Sequence, residues 1–151
     1  MTLLLLKLIM AHLIGDFFLQ PQNWVKDKEK KKLKSVWLYV HVAIHIALMF
    51  LMVCDLSYTT LILSIGVSHL IIDGLKLLLQ RKKNKRIFFF LDQLLHLIVL
   101  FALGYAFYQG DSDFTFIVNS NILLLLVCSS FLTLPTSIIL KTIFTKWNIS
   151  K

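Results

Sequence analysis

The residues of this chain that could bind a metal ion or carry a proton recur as pairs with one spacing. The pairs use all five histidines and three of the eight acidic residues: His12/Asp16, His41/His45, His69/Asp73 and Asp92/His96. On an α-helix this spacing of four places both side chains on one face, about 6 Å apart along the axis. Two such side chains can hold a metal ion between them, as paired residues do in helical bundles. The spacing therefore predicts four helices that each carry a pair of ligands.

Every pair lies in an apolar stretch long enough to cross a membrane. Of the 151 residues, 58% are hydrophobic, and the mean hydropathy is +0.78, far above that of an ordinary soluble domain. A hydrocarbon core needs around 20 apolar residues. Five stretches meet this length, at about residues 1–20, 36–54, 59–79, 88–108 and 120–143. We predict an all-α fold, with one transmembrane domain over residues 1–151 that contains five membrane-spanning helices.

The first and last stretches need separate interpretation. The first lacks a small-residue cleavage site, carries Asp16 and continues directly into Gln20 and Pro21, so it is read as a span and not as a secretory signal peptide. The last has no charged residue before Lys141 and contains several hydroxyl side chains beside Pro135. It is predicted to be a kinked helix peripheral to the paired residues.

Positive charge is confined to two of the four connections. Residues 21–35 contain six lysines, and residues 80–87 contain five Lys or Arg side chains. The other two connections contain only acidic charges: Asp55, Asp111 and Asp113. The positive-inside rule then predicts an outside N-terminus and a cytoplasmic C-terminus. Lys7, near the outer end of the first span, is expected to extend its ammonium group to the interface.

The same charge distribution limits the partners of the protein. Basic loops beside apolar spans are expected to bind the anionic headgroups of membrane lipids. Nucleic acid is not expected, because the basic residues follow the predicted orientation in the membrane and form no separate domain. The oligomeric state is left open, and a homo-oligomer is one option.

The first four stretches resemble two copies of one helical hairpin. Residues 12–16 and 69–73 match at four of five positions, and each is followed by a basic loop and a returning span with its own pair. Two parallel hairpin repeats are therefore predicted. Helix direction then sorts the paired residues into two layers. The outer layer is His12, His45, His69 and His96, and the layer nearer the cytoplasm is Asp16, His41, Asp73 and Asp92.

Five imidazoles and three carboxylates in one place could ligate two divalent cations. The three negative charges would nearly balance the four positive ones, and near-neutrality matters because isolated charges are costly in hydrocarbon. All eight paired residues are candidate metal ligands. Zinc or iron is favoured, and the carboxylates also admit manganese. Asp16, Asp73 and Asp92 could also bridge the ions or act as general base.

Two metal ions held close together can activate water and stabilise a leaving oxygen, so a hydrolase acting on a lipid or lipid-linked substrate is predicted. Its substrate would come from the cytoplasmic leaflet, where Lys76 and Gln20 lie on the same faces as the site and are candidates for binding a headgroup. Alternatives remain: oxidation of a lipid tail by an iron or copper pair, a small ion or proton transporter, an accessory subunit, or a hydrogen-bonded polar core.

Four segments of the sequence carry a resemblance to a known family. AHLIGDFFLQPQ, HVAIH, HLIIDGLK and FLDQLLH resemble, in this order, the bacterial multi-pass membrane family called domain of unknown function 3307, over roughly residues 8–105. The resemblance implies a bacterial integral membrane protein of the cytoplasmic (inner) membrane and brings no established activity. The chain is also loosely similar to membrane-bound metal-dependent hydrolases, whose spans carry His and Asp motifs, and this favours metal chemistry by analogy.

Overall fold

The computed structural model describes residues 1–108 and 119–144, and their regular structure is entirely helical. Asp111 and Asp113, used above to predict the orientation, lie outside the described residues. The described chain contains seven α-helices: α1 Thr2–Leu13, α2 Gln22–Lys31, α3 Val36–Val53, α4 Thr59–Leu79, α5 Lys85–Ala106, α6 Ser120–Leu132 and α7 Leu134–Phe144.

Four helical segments of the described chain are long and apolar enough to cross a membrane. They are Val36–Val53, Leu56–Leu79, Lys85–Ala106 and Ser120–Phe144, with mean hydropathies of 1.8 to 2.2. A bent pair, Thr2–Phe18 with Gln22–Lys34, gives a fifth if it is counted as one span. At most 44% of the most apolar 18 residues of any of these segments is buried inside the protein, so more than half of them are at least partly exposed. The predicted all-helical class is therefore confirmed, together with its long apolar helices.

Helices α1, α3, α4 and α5 form a closed ring, in which α1 and α4 each contact both α3 and α5. An apolar core fills one half of this ring. It is built from the first half of α1, the end of α3, the start of α4 and the end of α5, and its fully buried members include Leu8, Leu61 and Ile62. The paired polar residues occupy the other half, so the core holds the four helices together beside them.

The first helix departs from the predicted regular span over residues 1–20. After α1 ends at Leu13, one wider turn follows over Ile14–Phe18, closed by a hydrogen bond of 2.9 Å from the Leu19 N–H to the Ile14 carbonyl, five residues back. Such π-turns often occur at functional sites. This one contains Asp16, and the chain then bends by 83° into the next helical segment.

The segment predicted as the first basic loop, residues 21–35, is largely helical. Helix α2 begins after Pro21, whose fixed φ suits a helix start, and ends at Lys31, before Lys32, where φ is +57°. Polar helix-forming residues dominate it, and an ion pair of 2.6 Å joins Asp27 to Lys31 one turn later. The prediction missed this helix because its sequence has no long apolar face.

Asp27 also joins α2 to the start of α3. The Ser35 hydroxyl donates to its carboxylate at 2.6 Å, and the Trp24 ring stacks on Trp37 with 4.4 Å between centroids. Hydrogen bonds from Lys31 and then Ser35 lower the pKa of Asp27 below its usual value. Helix α2 is thus fixed across the end of the bundle near the paired residues.

Two further predictions can be compared with the described structure. The last apolar segment breaks at Thr133, between α6 and α7, and the Thr133 hydroxyl donates to the Ser130 carbonyl at 2.6 Å, as expected of a kinked helix. Lys7 does not extend outward as predicted. It is only 7% exposed and donates to the Val53 carbonyl at 3.3 Å, because the end of α3 offers a carbonyl with no partner in its own helix.

Candidate metal centre

The four helices of the ring bring all eight paired residues to one end of the bundle interior. Helices α3, α4 and α5 each contribute one pair, whereas His12 comes from α1 and Asp16 from the π-turn that follows it; none of the five histidines is more than 5% exposed. The four histidines of the predicted outer layer contact one another, with ring centroids 4.0 Å apart for His69 and His96 and 4.1 Å apart for His45 and His69. His12 lies 5.4 to 5.8 Å from the other three rings.

One group of four residues has the spacing of a metal site. Asp16, His41, His45 and His69 each present a ligand atom, and these atoms lie within 4.8 Å of one another. His41 Nε2 and His45 Nε2 both lie 3.1 Å from Asp16 Oδ1, and His69 Nε2 lies 3.8 Å from it. Ligands about 2.0–2.2 Å from a tetrahedral zinc ion would be separated by about 3.4 Å. The arrangement therefore fits one four-coordinate ion with little movement.

A glycine allows the His45 ring to lie close to the turn that carries Asp16. Gly15 lies beside the His45 ring, and a Cβ added there would be closer than 3.0 Å to three atoms of that ring. Gly15 stands one residue before Asp16, so the π-turn places a ligand and the space for a second ligand side by side.

A second group, His69, Asp73 and His96, also has its ligand atoms within 4.8 Å of one another. It shares His69 with the first group. A neutral imidazole has one unprotonated nitrogen, so His69 can serve one ion at a time in that form. The described geometry thus offers two overlapping positions for a metal ion and not two independent ones.

His96 is held in the tautomer that can bind a metal ion through Nε2. Its Nδ1–H donates to the Asp92 carbonyl at 2.8 Å, which leaves Nε2 as the nitrogen with the lone pair. Within the described part of the chain, the buried Nε2 atoms of His96 and His12 have no hydrogen-bond partner, and neither has Asp92 Oδ1. Buried polar atoms without partners are costly and need an explanation such as an unseen ion or water.

Two predicted substrate-binding residues contact the paired residues directly. Gln20 Nε2 lies 2.9 Å from His41 Nε2. The Lys76 ammonium group lies 2.6 Å from Asp92 Oδ2, so this carboxylate is paired with a lysine, and it is absent from both candidate ligand groups.

Two residues that contact the paired residues were not predicted from the sequence. Lys28, counted as a loop charge, is 5% exposed and lies 3.3 Å from Asp73 Oδ2. Gln93 donates its amide to Asp16 Oδ2 at 2.8 Å. If residues 22–31 had been predicted as a helix, Lys28 would have been placed on the same face as Trp24, and its burial could have been expected. Nothing in the sequence indicates that Gln93 contacts Asp16.

These lysines change the charge balance. Lys28 and Lys76 offset two of the three aspartates, so the cluster with neutral imidazoles has one net negative charge. One divalent cation would leave it at +1, whereas two would leave it at +3. Because uncompensated charge is costly away from water, the described structure favours one ion at a time.

A cavity of about 800 Å³ adjoins the cluster. Asp16, Asp73 and Asp92 all line it, whereas the histidines do not. The carboxylates thus face the cavity and the imidazoles lie behind them. Ile138, Lys141 and Thr142 of α7 also line it, so the last apolar segment is not peripheral to the site as predicted. Its side chains contribute to the cavity because the break at Thr133 redirects α7.

The fold and this centre together define a helical protein with apolar outer faces and a buried histidine and aspartate cluster. The chain belongs to the family described as "Protein of unknown function (DUF3307)", whose model matches residues 4–125 and thus includes all eight paired residues. This confirms the family resemblance noted in the sequence. No curated protein sequence and no solved structure matches the chain.

Proposed function

We propose that the chain is a multi-pass protein of the bacterial cytoplasmic membrane, with five spans, an outside N-terminus and a cytoplasmic C-terminus. The long apolar helices and their outward-facing side chains support insertion. The basic connections at residues 21–35 and 80–87 support the orientation. In this setting the cavity beside the aspartates opens toward the cytoplasmic leaflet.

Within that membrane, the proposed activity is metal-dependent hydrolysis of a lipid or lipid-linked substrate. The observation that carries it is the group of half-buried Asp16 with buried His41, His45 and His69, whose ligand atoms are spaced as one ion requires. Three imidazoles and a carboxylate suit zinc or iron and admit manganese. An ion bound there would supply Lewis acidity, and it would activate water near neutral pH by taking that water as a fifth ligand.

The roles of the other residues follow from their positions. Gln93 donates to Asp16 Oδ2 and leaves Oδ1 directed at the imidazoles, which orients the ligand. Asp73 faces the cavity with Lys28 at 3.3 Å and is the proposed general base, because a carboxylate at the cavity wall can take a proton from water. Lys76 holds Asp92 at the same wall. The buried imidazoles would exclude water from the side of the site that faces away from the cavity.

Metal analysis of the protein purified in detergent tests this proposal. After incubation with zinc, iron or manganese and removal of free ions, we expect about one equivalent in the native protein. Asp16→Ala and His45→Ala should reduce it at least tenfold, because each removes one of the four ligands. Ser68→Ala is the matched control, since the Ser68 hydroxyl donates only within α4, to Ser64 and Ile65. A folded protein that retains no ion would refute the proposal.

A proton or ion path is the second candidate, and a chain of polar contacts favours it. Gln20, His41 and His69 are joined in sequence by contacts of 2.9 and 3.2 Å, leading inward from the cavity. The apolar core fills the other half of the ring. Among the described residues of that half, the only buried charged side chain is Lys7, which donates to the Val53 carbonyl. Flux in proteoliposomes without bound metal would favour this candidate over the hydrolase.

A further inference from the structure

The wall of the cavity carries more basic side chains than the buried cluster uses. Seven Lys or Arg residues line it against four acidic ones: Lys28, Lys76, Lys82, Lys83, Lys85, Arg86 and Lys141 against Asp16, Glu29, Asp73 and Asp92. Lys28 and Lys76 pair with aspartates, and Lys85 pairs with Glu29. Among the described ion pairs, none involves Lys82, Lys83, Arg86 or Lys141. These four side chains are defined here as the basic wall.

The basic wall is assembled from separate parts of the chain. Lys82 and Lys83 belong to the turn between α4 and α5, Arg86 lies in the first turn of α5, and Lys141 lies in α7. Charges that approach one cavity from three parts of the chain attract an anion into it more strongly than a run along one helix would. Arginine adds a planar fork of donors suited to phosphate oxygens.

The same cavity also has an apolar lining. Phe17, Ile87, Phe89 and Ile138 contribute to its wall. A ligand that fills it must therefore combine an anionic group with an apolar portion. A carboxylate carries one charge and two oxygens, whereas a phosphate monoester carries up to two charges and three terminal oxygens, and so better matches four cations.

We propose that this cavity binds a phosphate-bearing amphiphile, with its phosphate against the basic wall and its apolar portion against Ile87, Phe89 and Ile138. Binding of this ligand as a substrate rests on the proposed hydrolase function. Binding itself does not, because the basic wall contains no member of either candidate ligand group.

The test measures binding to protein in neutral detergent after treatment with a chelator, so that no metal contributes. The probes are dihexanoyl phosphatidic acid, dihexanoyl phosphatidylcholine and inorganic phosphate. We expect the phosphatidic acid to bind at least tenfold more tightly than either of the others. Phosphatidylcholine adds a positive charge to the headgroup, and inorganic phosphate lacks the apolar portion.

Variants assign that binding to the basic wall. The double variant Arg86→Gln/Lys141→Gln should weaken phosphatidic acid binding at least tenfold. Lys26→Gln/Lys34→Gln removes two exposed charges that do not line the cavity, and it should change binding less than twofold. Lys141 is exposed and Arg86 is half-buried, so folding should survive, which gel filtration and circular dichroism would verify.

Each result decides the matter. Equal losses in both double variants would show general charge attraction, and equal affinity for inorganic phosphate would indicate a site for the free ion. Either result would overturn the proposal. Metal binding without phosphatidic acid binding would refute this inference and leave the metal site standing. If phosphatidic acid binds as expected but metal analysis finds no retained ion, the inference stands and the metal site is refuted.

Discussion

His69 belongs to both candidate ligand groups. The residues around its Nε2 atom explain why we favour the group that contains Asp16. Asp16 faces it with an oxygen oriented by Gln93, and His41 lies at 3.2 Å. In the other group, Asp73 is already paired with Lys28. A carboxylate that keeps its lysine is less free to bind a metal ion, so we propose different roles for the two aspartates because their partners differ.

Gly15 provides a test at the scale of a single side chain. We expect Gly15→Ala to destabilise the protein by about 1–3 kcal/mol, because the new methyl group must displace the packed His45 ring. It should also reduce bound metal at least tenfold, since His45 is a proposed ligand. Thermal unfolding in detergent and metal analysis are the measurements.

Gly74→Ala is the control for this substitution. Gly74 also lies beside a motif aspartate, but the nearest atom to an added Cβ is the end of the Leu33 side chain, at 3.2 Å, which can rotate away. We expect little change in bound metal. Equal metal loss in both variants would mean that Gly15 has no special relation to His45.

Spacing predicted the eight clustered residues, because ionisable side chains four residues apart in an apolar stretch indicate one polar face on a buried helix. It did not identify Lys28 or Gln93. Side chains that join different helices depend on how those helices rotate against one another, and one sequence carries no direct record of that rotation. The charge balance derived from the sequence was incomplete for the same reason, since Lys28 reaches Asp73 from a segment 45 residues away.

At the scale of elements, α2 and the π-turn determine how the chain closes the end of the bundle. The apolar helices could be predicted from length and hydropathy, and α3 and α4 begin and end within one residue of the predicted bounds. The π-turn could not, because no local sequence pattern distinguishes it from an α-helical turn; in the fold its Gly15 lies against the His45 ring. Helix α2 escaped prediction because its stability comes from polar contacts.

Asp27 makes the attachment of α2 dependent on pH. Its pKa is lowered in the folded protein by Lys31 and Ser35, so its contribution to stability is present above the unfolded value of 3.8 and is lost as pH falls through the lower folded value. We expect the stacked Trp24 and Trp37 to separate in that acid range, with a change in tryptophan fluorescence.

Asp27→Asn separates this carboxylate from the others. It cannot ionise, so it should show altered fluorescence already at neutral pH and no further transition attributable to this residue in acid. Trp147 is the third tryptophan and is present in both proteins, which cancels its contribution. An acid transition identical in the variant and the native protein would contradict the assigned role of Asp27.

For the whole molecule, apolar residues occupy two different environments. A small core joins the four ring helices, while large side chains such as Leu51, Val67 and Tyr105 remain more than half exposed on their outer faces. Exposed apolar area on this scale is costly in water and favourable in lipid. Composition therefore predicted the class of fold well, whereas the arrangement of helices around the ring required three-dimensional packing.

Cys54 provides a test of the proposed orientation. It is exposed at the end of α3, at the end of the bundle opposite the cavity. In the proposed orientation it lies on the outer side of the membrane. In a Cys128→Ser background, a membrane-impermeant maleimide should label Cys54 in intact spheroplasts. Lys83→Cys, introduced with Cys54→Ser, should be labelled only after the membrane is opened. The reverse pattern would invert the proposed topology.

The contact between Lys7 and the Val53 carbonyl also bears on how the protein is made. Forty-six residues separate the two, so the ribosome releases the ammonium group long before its acceptor exists. During synthesis, α1 would carry an uncompensated cation in its apolar stretch until α3 emerges. We therefore expect the translocation machinery to retain the first helix until the third arrives, so that the two enter the lipid together.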